Sequence, residues 1–157
     1  MRHILKLHRS LLDPIPQASS NFEITTLNLA TQKQEWLELN NKIFIKHPDQ
    51  GNWVMADLEN RMAESWFDPK GFFIAMHNQK IIGFCWMKIH HDFVNQDPIG
   101  EIYVIGVDPE NKQTGLGKAL AITGLNYLTA KSLKQAMLYV DADNAPALAM
   151  YQGLGFN

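Results

Sequence analysis

An α/β fold is predicted by three features of this 157-residue sequence. Three apolar, strand-like segments crowd its middle, at 71–77, 81–90 and 100–107. Segments of helical periodicity lie on both sides of them, at 31–45, 54–65, 116–131 and 145–154. Short clusters of turn residues separate them, so that the core reads strand, two helices, three strands, helix, strand, helix, with no internal repeat or low-complexity tract.

Each element has a local reason. Ile4-Leu5-Lys6-Leu7-His8-Arg9 has strand character, and Leu12-Asp13-Pro14-Ile15-Pro16-Gln17-Ala18-Ser19-Ser20 reads as a linker, because two prolines forbid a regular helix. Phe22–Leu27 alternates as a strand. In 31–45, Trp36, Leu39, Ile43 and Phe44 fall on one helical stripe, and Lys46–Asn52 is a loop. Leu58 and Met62 share the i, i+4 spacing of the second helix. Asn78-Gln79 turns one strand into the next as a hairpin. Gly100-Glu101-Ile102-Tyr103-Val104-Ile105-Gly106-Val107 is the strongest strand, ended by Asp108-Pro109. A helix at 116–131, a strand at 135–140 and a helix at 145–154 complete the series.

Length suits one domain with a substantial core. A net charge of −2 and 46 % hydrophobic residues give no reason to expect a nucleic-acid or anionic-membrane partner. No apolar run approaches the roughly 18 residues of a membrane-spanning helix, and no signal peptide follows the charged start Met1-Arg2-His3. The single cysteine, Cys85, excludes an internal disulfide and fits a cytoplasmic protein. In an apolar strand it reads as a core residue. His90-His91-Asp92 is not read as a metal site, because adjacent strand residues face opposite ways.

The sequence joining the strongest strand to its helix, Val107-Asp108-Pro109-Glu110-Asn111-Lys112-Gln113-Thr114-Gly115-Leu116-Gly117-Lys118, is suited to a pyrophosphate. Glycines let a phosphate approach the backbone, and the first-turn N–H groups and the helix dipole favour its charge. Helix capping alone also accounts for the pattern. A dinucleotide fingerprint fails at Leu120, and a Walker loop fails because no Gly-Lys-Ser/Thr ends it. Further on, Asn144 reads as a helix N-cap and Tyr151 as a core aromatic.

Together these stretches resemble motifs A and B of the GNAT acetyltransferase superfamily. Gly115 and Gly117 match the Gly-x-Gly of motif A, while Lys112 stands where Gln or Arg is usual. Leu138–Phe156 resembles motif B, with Asn144, Ala147, Tyr151 and Gly155-Phe156 in order. His47–Gly51, Arg61–Pro69, Gly83–His90, Gly100–Pro109 and Leu138–Asn144 are similar to segments of the mycothiol synthases, specifically of their C-terminal catalytic half.

The resemblance implies a GNAT fold, a mixed and mostly antiparallel sheet flanked by helices, over residues 21–157. Residues 1–20 become the tail and linker of a preceding domain. It also implies a final strand after Gly155-Phe156, missing here. The strand at 135–140 is then expected to have an unpaired edge, open to self-association. The implied reaction carries an acetyl group from acetyl-CoA to a small-molecule amine, the cysteinyl amine of cysteine-glucosamine-inositol, without a metal. Glu101 would be the base and Tyr151 the acid. Ile105, Val107, Gln113, Thr114, Gly115, Leu116, Gly117, Lys118 and Asn144 would hold acetyl-CoA. His47, Trp66, Asp68, Trp86, Lys88 and His90 would line the acceptor cleft. Arg61 and Lys88 read as solvated charges that become useful if they face that cleft. Another amine, a protein N-terminus or an aminoglycoside, stays open as substrate, as does acetyl-CoA binding without turnover.

Overall fold

Among the described residues, six strands and four helices follow one another: β1 (Ile4–Ser10), β2 (Glu23–Thr26), α1 (Lys33–Ile43), α2 (Met55–Met62), β3 (Phe72–His77), β4 (Lys80–His90), β5 (Ile99–Val107), α3 (Leu116–Ala130), β6 (Gln135–Asp141) and α4 (Ala145–Gly153). A 3₁₀ turn at Pro69–Gly71 leads into β3. This computed structural model describes residues 3–18, 21–92 and 94–157. Met1-Arg2, the linker's Ser19-Ser20 and Phe93 lie outside the described residues.

The strands form one sheet in the order β1-β6-β5-β4-β3-β2. Every neighbouring pair is antiparallel except β5 and β6, which run parallel and are joined through α3. Alternation along β4 divides the molecule into two cores. Phe84 and Trp86 face α1 and α2, where they meet Trp36, Leu58, Phe72 and Ile74. Cys85, Met87 and Ile89 face α3 and α4, where they meet Leu120, Leu125, Leu128, Tyr151 and Phe156. Gly124 lets α3 lie close to β4: a Cβ there would stand 2.5 Å from Met87 Sδ. The first core is aromatic, with Phe72 stacked on Trp86 at 4.3 Å and Trp36 edge-on to Phe72, Phe84 and Trp86.

The expectation of an unpaired edge on β6 is corrected by the structure. β1 of the same chain covers that edge in unbroken register, from Ile4↔Asp141 to Ser10↔Gln135. The reason lies in the Pro-rich segment that follows. β1 and β2 occupy opposite edges of the sheet, about 24 Å apart at five strand spacings. A segment of this length has ample reach to cross that distance, and Pro14 and Pro16 keep its first part from coiling into a helix. On the α3 side of the sheet, Leu11, Ile15 and Phe22 pack into the core. At the far side of β1, His8 and Asn157 exchange two backbone hydrogen bonds of 2.9 Å.

Arg9 on β1 is buried with its guanidinium among main-chain carbonyls. Nη1 donates to Leu154 O at 2.5 Å, Nη2 to Asp13 O at 2.9 Å, and Nε to Ser10 O at 2.9 Å. The strand therefore also grips the C-terminal end of α4 and the start of the linker.

Candidate active site

β5 and β6 part company after a short stretch. They pair only at Gly100↔Ala136, Glu101↔Met137 and Ile102↔Leu138, and then diverge. A register shift between β4 and β5 at Trp86/Met87 leaves Tyr103 as an extra residue in β5. Such a bulge bends the strand and locally increases its twist. A cavity of about 290 Å³ occupies the resulting fork, lined from β5 by Ile102, Tyr103, Val104 and Ile105, from β6 by Tyr139, Val140 and Asp141, and from α4 by Ala147 and Tyr151. Residues from both faces of the sheet line it. His47, Asp49 and Gln50 close it on the α1 side, and Ile4 of β1 adds to the wall.

Main-chain groups point into this fork. Asp108 N–H donates to Ile82 O, and Phe84 pairs with Gly106 in the same ladder. In an antiparallel ladder alternate residues turn their N–H and C=O to the neighbour, so those of Ile105 and Val107 turn the other way, towards the fork.

On the α3 side, Val107, Lys112, Met150 and all of Gln113–Lys118 line a second cavity of about 490 Å³. Gly115 caps α3 in the left-handed region at φ 83°, a conformation glycine adopts without a Cβ penalty. The first-turn N–H groups that follow are those a helix leaves without internal partners. A Cβ on Gly117 would stand 3.5 Å from Met150 Sδ and 3.8 Å from Val107 Cγ2, filling the cavity floor. Two lysines, a row of N–H donors and an open floor fit a pyrophosphate. Asp108 anchors the base of this loop. It accepts from Glu110 N–H at 3.0 Å, Asn111 Nδ2 at 3.0 Å and Lys42 Nζ at 2.9 Å. Burial works against its charge, but these donors together hold its carboxyl below the ordinary range.

The two residues expected to move protons lie on opposite faces. Tyr151, on α4, is 5 % exposed, and burial, with the nearby Cys85 thiol, raises its phenol well above its usual pKa. Asn144 accepts Ala147 N–H at 3.3 Å and so caps the helix that carries Tyr151. Glu101 faces the α1/α2 side, across the ladder from Lys88. Its side chain is 8 % exposed, and Oε1 lies 2.7 Å from His90 Nε2.

A third cavity of about 310 Å³ lies on that same side, lined by Ser65, Trp66, Lys88, Ile89, His90, His91 and Asp92. Lys88 Nζ sits 4.9 Å from the Trp66 ring centroid and 5.4 Å from that of Tyr103. Arg61 Nε donates to Tyr103 Oη at 3.1 Å. His47 Nδ1 accepts the N–H groups of Asp49 and Gln50 at 3.2 and 3.0 Å, which shapes the loop at the cavity mouth.

The structure thus brings His47, Trp66, Lys88 and His90 to the α1/α2 side of the fork, and Ile105, Val107, Gln113–Lys118 and Asn144 to the fork and the loop. Two expected acceptor residues go elsewhere. Trp86 is fully buried among Trp36, Phe72 and Tyr103. Asp68 turns to α3, where it accepts Tyr127 Oη–H at 2.6 Å and lies 3.4 Å from Lys131 Nζ. Sequence reasoning did not single out Ile4, Tyr103, Tyr139 or Asp141 as walls of the cavity. It also missed Asn40 and Asn41 of α1, which pin the 47–53 loop through Gln50 and Trp53. Two adjacent asparagines late in an otherwise amphipathic helix are the signal that was available.

The family model described as acetyltransferase (GNAT) family matches residues 24–156. The chain belongs to the GNAT family. Among curated GNAT relatives, the mycothiol acetyltransferases of Acidothermus cellulolyticus and Thermobispora bispora are each 42 % identical to it, over 99 % of this chain and 51 % and 54 % of theirs. The chain therefore spans about half the length of the curated relatives it matches. Among solved GNAT structures, one from Sphaerobacter thermophilus superposes with a TM-score of 0.78 at 19 % identity, over 99 % of this chain and 48 % of that one, a likeness of fold alone. The aminoglycoside N-acetyltransferase AAC(6')-Iy in complex with CoA reaches 0.69 at 27 % identity, over 88 % of this chain and 90 % of that one. Among the described residues, no helix is long and apolar enough to cross a membrane.

Proposed function

We propose that this domain transfers the acetyl group of acetyl-CoA to the cysteinyl amine of cysteine-glucosamine-inositol, the last step of mycothiol synthesis. The observation that carries the reading is the cavity through the sheet fork, with a buried tyrosine on one face and an acceptor cleft on the other. The 42 % identity to mycothiol acetyltransferases supports this choice of amine. The catalytic unit is residues 21–157, and 1–20 belong to a preceding segment that lends β1 to its sheet. The setting is cytoplasmic, in keeping with a lone, buried cysteine.

Acetyl-CoA, when bound, supplies a thioester carbonyl at the fork. The N–H groups of Gln113–Lys118 hold its pyrophosphate, and the main chain of Ile105 and Val107 lines its pantetheine. The Val107 N–H polarises the carbonyl as an oxyanion donor. Glu101 takes the proton from the incoming ammonium, directly or through water, since only the neutral amine attacks. Tyr151 returns a proton to the departing thiolate, and its raised pKa keeps it protonated for that task. His47, Trp66, Lys88 and His90 line the acceptor side. Trp86 supports Trp66 and Tyr103 from beneath, and Asp68 braces α3.

The test is thiol release by the purified chain with acetyl-CoA and three amines: the cysteinyl conjugate, an aminoglycoside and a peptide N-terminus. The conjugate should give the highest kcat/KM. Tyr151→Phe should lower turnover by about 10²–10⁴-fold while calorimetric affinity for acetyl-CoA stays unchanged. Preference for another amine would overturn the substrate, and full activity of the Phe variant would reduce Tyr151 to packing. Acetyl-CoA binding without turnover on any amine would make this a binding domain.

A further inference from the structure

Helix α1 carries an amide where its apolar stripe calls for a hydrocarbon. Asn40 lies one turn beyond Trp36 and is fully buried. A buried amide costs free energy unless its donors and acceptor are met, and the groups that meet this one lead to the loop that closes the fork. Its Nδ2 donates to Gln50 O at 2.9 Å and to Asn41 Oδ1 at 3.2 Å, and its Oδ1 accepts from Gln50 Nε2 at 3.0 Å. One side chain thus fixes both the main chain and the rotamer of Gln50. Asn41 grips the main chain of Trp53 in the same way: Oδ1 accepts its N–H at 2.9 Å, and Nδ2 donates to its carbonyl at 2.8 Å. Trp53 in turn donates from Nε1 to Asp49 O at 3.1 Å and sets its ring edge-on to Trp36 in the aromatic core.

The loop also lies closer to the end of α1 than a side chain permits. A Cβ on Gly51 would stand 2.1 Å from Phe44 O and 3.1 Å from His47 O, main-chain atoms that cannot swing aside. A polar network whose members are all satisfied selects one conformation. Here that conformation presents His47, Asp49 and Gln50 to the fork cavity. Neither asparagine lines that cavity, so each can act on a bound molecule only through the loop. We infer that Asn40 and Asn41 are positioning residues for the acceptor amine, which hold residues 47–53 as a preformed wall of the fork. The inference rests on the reading of the fork as the place where the amine is received.

The energetic reason is preorganisation. A ligand that must order a loop loses affinity in doing so, and a wall in place only part of the time lowers the apparent affinity by that fraction. Loosening the clamp should therefore weaken the amine and spare the cofactor, whose pyrophosphate site on the α3 side is lined by none of residues 40–53. A purely structural asparagine would not divide the two substrates in this way. Asn40 and Gly51 also act on the same loop, one by hydrogen bonds and the other by close approach, so their effects should not add.

Asn40→Leu keeps the packed volume of the side chain and removes its hydrogen bonds. Asn41→Leu and Gly51→Ala loosen the loop independently, should the first variant fail to fold. Amide hydrogen exchange over 47–53 should quicken in each, with the strands unchanged. The calorimetric Kd of the cysteinyl conjugate for the CoA-loaded chain should rise about tenfold, while the Kd of acetyl-CoA stays within about twofold of the parent. The double variant Asn40→Leu/Gly51→Ala should bind the conjugate little worse than either single variant. Unchanged exchange over 47–53 would overturn the clamp. Faster exchange with parent-like conjugate binding would overturn its role in positioning the amine, and so would an equal loss for both ligands or effects that multiply in the double variant. Binding is read without turnover, so the two ideas fail separately. A parent that binds the conjugate and turns over no amine would remove the proposed reaction and leave the clamp. A parent active on the conjugate beside variants that bind it equally well would remove only the clamp. A parent that does not bind the conjugate would remove both.

Discussion

Replacing Arg9 by methionine removes a guanidinium that serves four main-chain carbonyls at once and leaves the aliphatic stem in place. Leu154 O, 2.5 Å from Nη1, is the buried one, and stranding a buried carbonyl costs about 1–3 kcal/mol. Ser10 O, Asp13 O and Pro14 O are part-buried, so water recovers much of their loss, and each contributes about 0.5 kcal/mol. The cation also complements the C-terminal dipole of α4, roughly 0.3–1 kcal/mol. Against these stands the relief of a buried charge that has no carboxylate among its hydrogen-bond partners. The net expectation is a loss of about 2–4 kcal/mol, or a melting temperature lower by about 5–15 °C for a chain of this length. Arg9→Lys should fall between, because one ammonium cannot span carbonyls on three segments. Scanning calorimetry of the three proteins is the measurement. A methionine variant that melts within about 2 °C of the parent would show that the grip of β1 on α4 contributes nothing to stability.

Gly117→Asp should raise the calorimetric Kd for acetyl-CoA at least tenfold with little change in melting temperature. The new Cβ meets only ordinary contacts, while its carboxylate repels phosphate; an unchanged Kd would move the pyrophosphate elsewhere. Gly124→Ala should cost about 1–3 kcal/mol by overpacking. Its Cβ would lie 2.5 Å from Met87 Sδ and 3.1 Å from Cys85 Sγ, both on buried side chains. Urea unfolding reads the loss, and a neutral result would show that α3 slides freely over β4. Asp108→Asn should be less stable than the parent at neutral pH, with the gap closing in acid. The folded carboxyl titrates below its unfolded value, so its contribution is whole above about pH 4. It fades as pH falls from there through the folded pKa. A gap that is constant down to pH 2.5 would contradict this.

Much of the fold was legible because its signals are local. Alternation in Lys80–His90 and the stripe through Trp36 and Leu39 mark a strand and a helix whatever they pack against. The partner of Ile4–Ser10 was not legible. Its register with 135–141 depends on chain more than a hundred residues away, and no local pattern encodes that. At the site, the glycine loop declared itself through spacing and helix-end chemistry. The contact between Glu101 and His90 did not, because it needs the ladder that sets Ile99 beside His90 and Glu101 beside Lys88. Direction was harder still. Trp66 and Trp86 resemble one another as residues, yet Trp36 seals one inside while the other meets Lys88 at the surface. Asp68 sits in a stretch similar to an acceptor cleft, but the 3₁₀ turn after it aims its carboxylate at Tyr127.

The aromatic core has an optical consequence. All four tryptophans of the chain, Trp36, Trp53, Trp66 and Trp86, sit on the α1/α2 side of the sheet, and the α3/α4 side has none. Intrinsic emission is therefore a one-sided reporter. Three indoles are buried and Trp66 alone is half-exposed, so quenching by a dissolved collider should act mainly through that single ring. A molecule settling beside Lys88 will change the signal directly. One settling on the glycine loop will be dark unless the sheet itself moves. Spectral titrations can then tell which face of the protein a ligand has entered, with no label added.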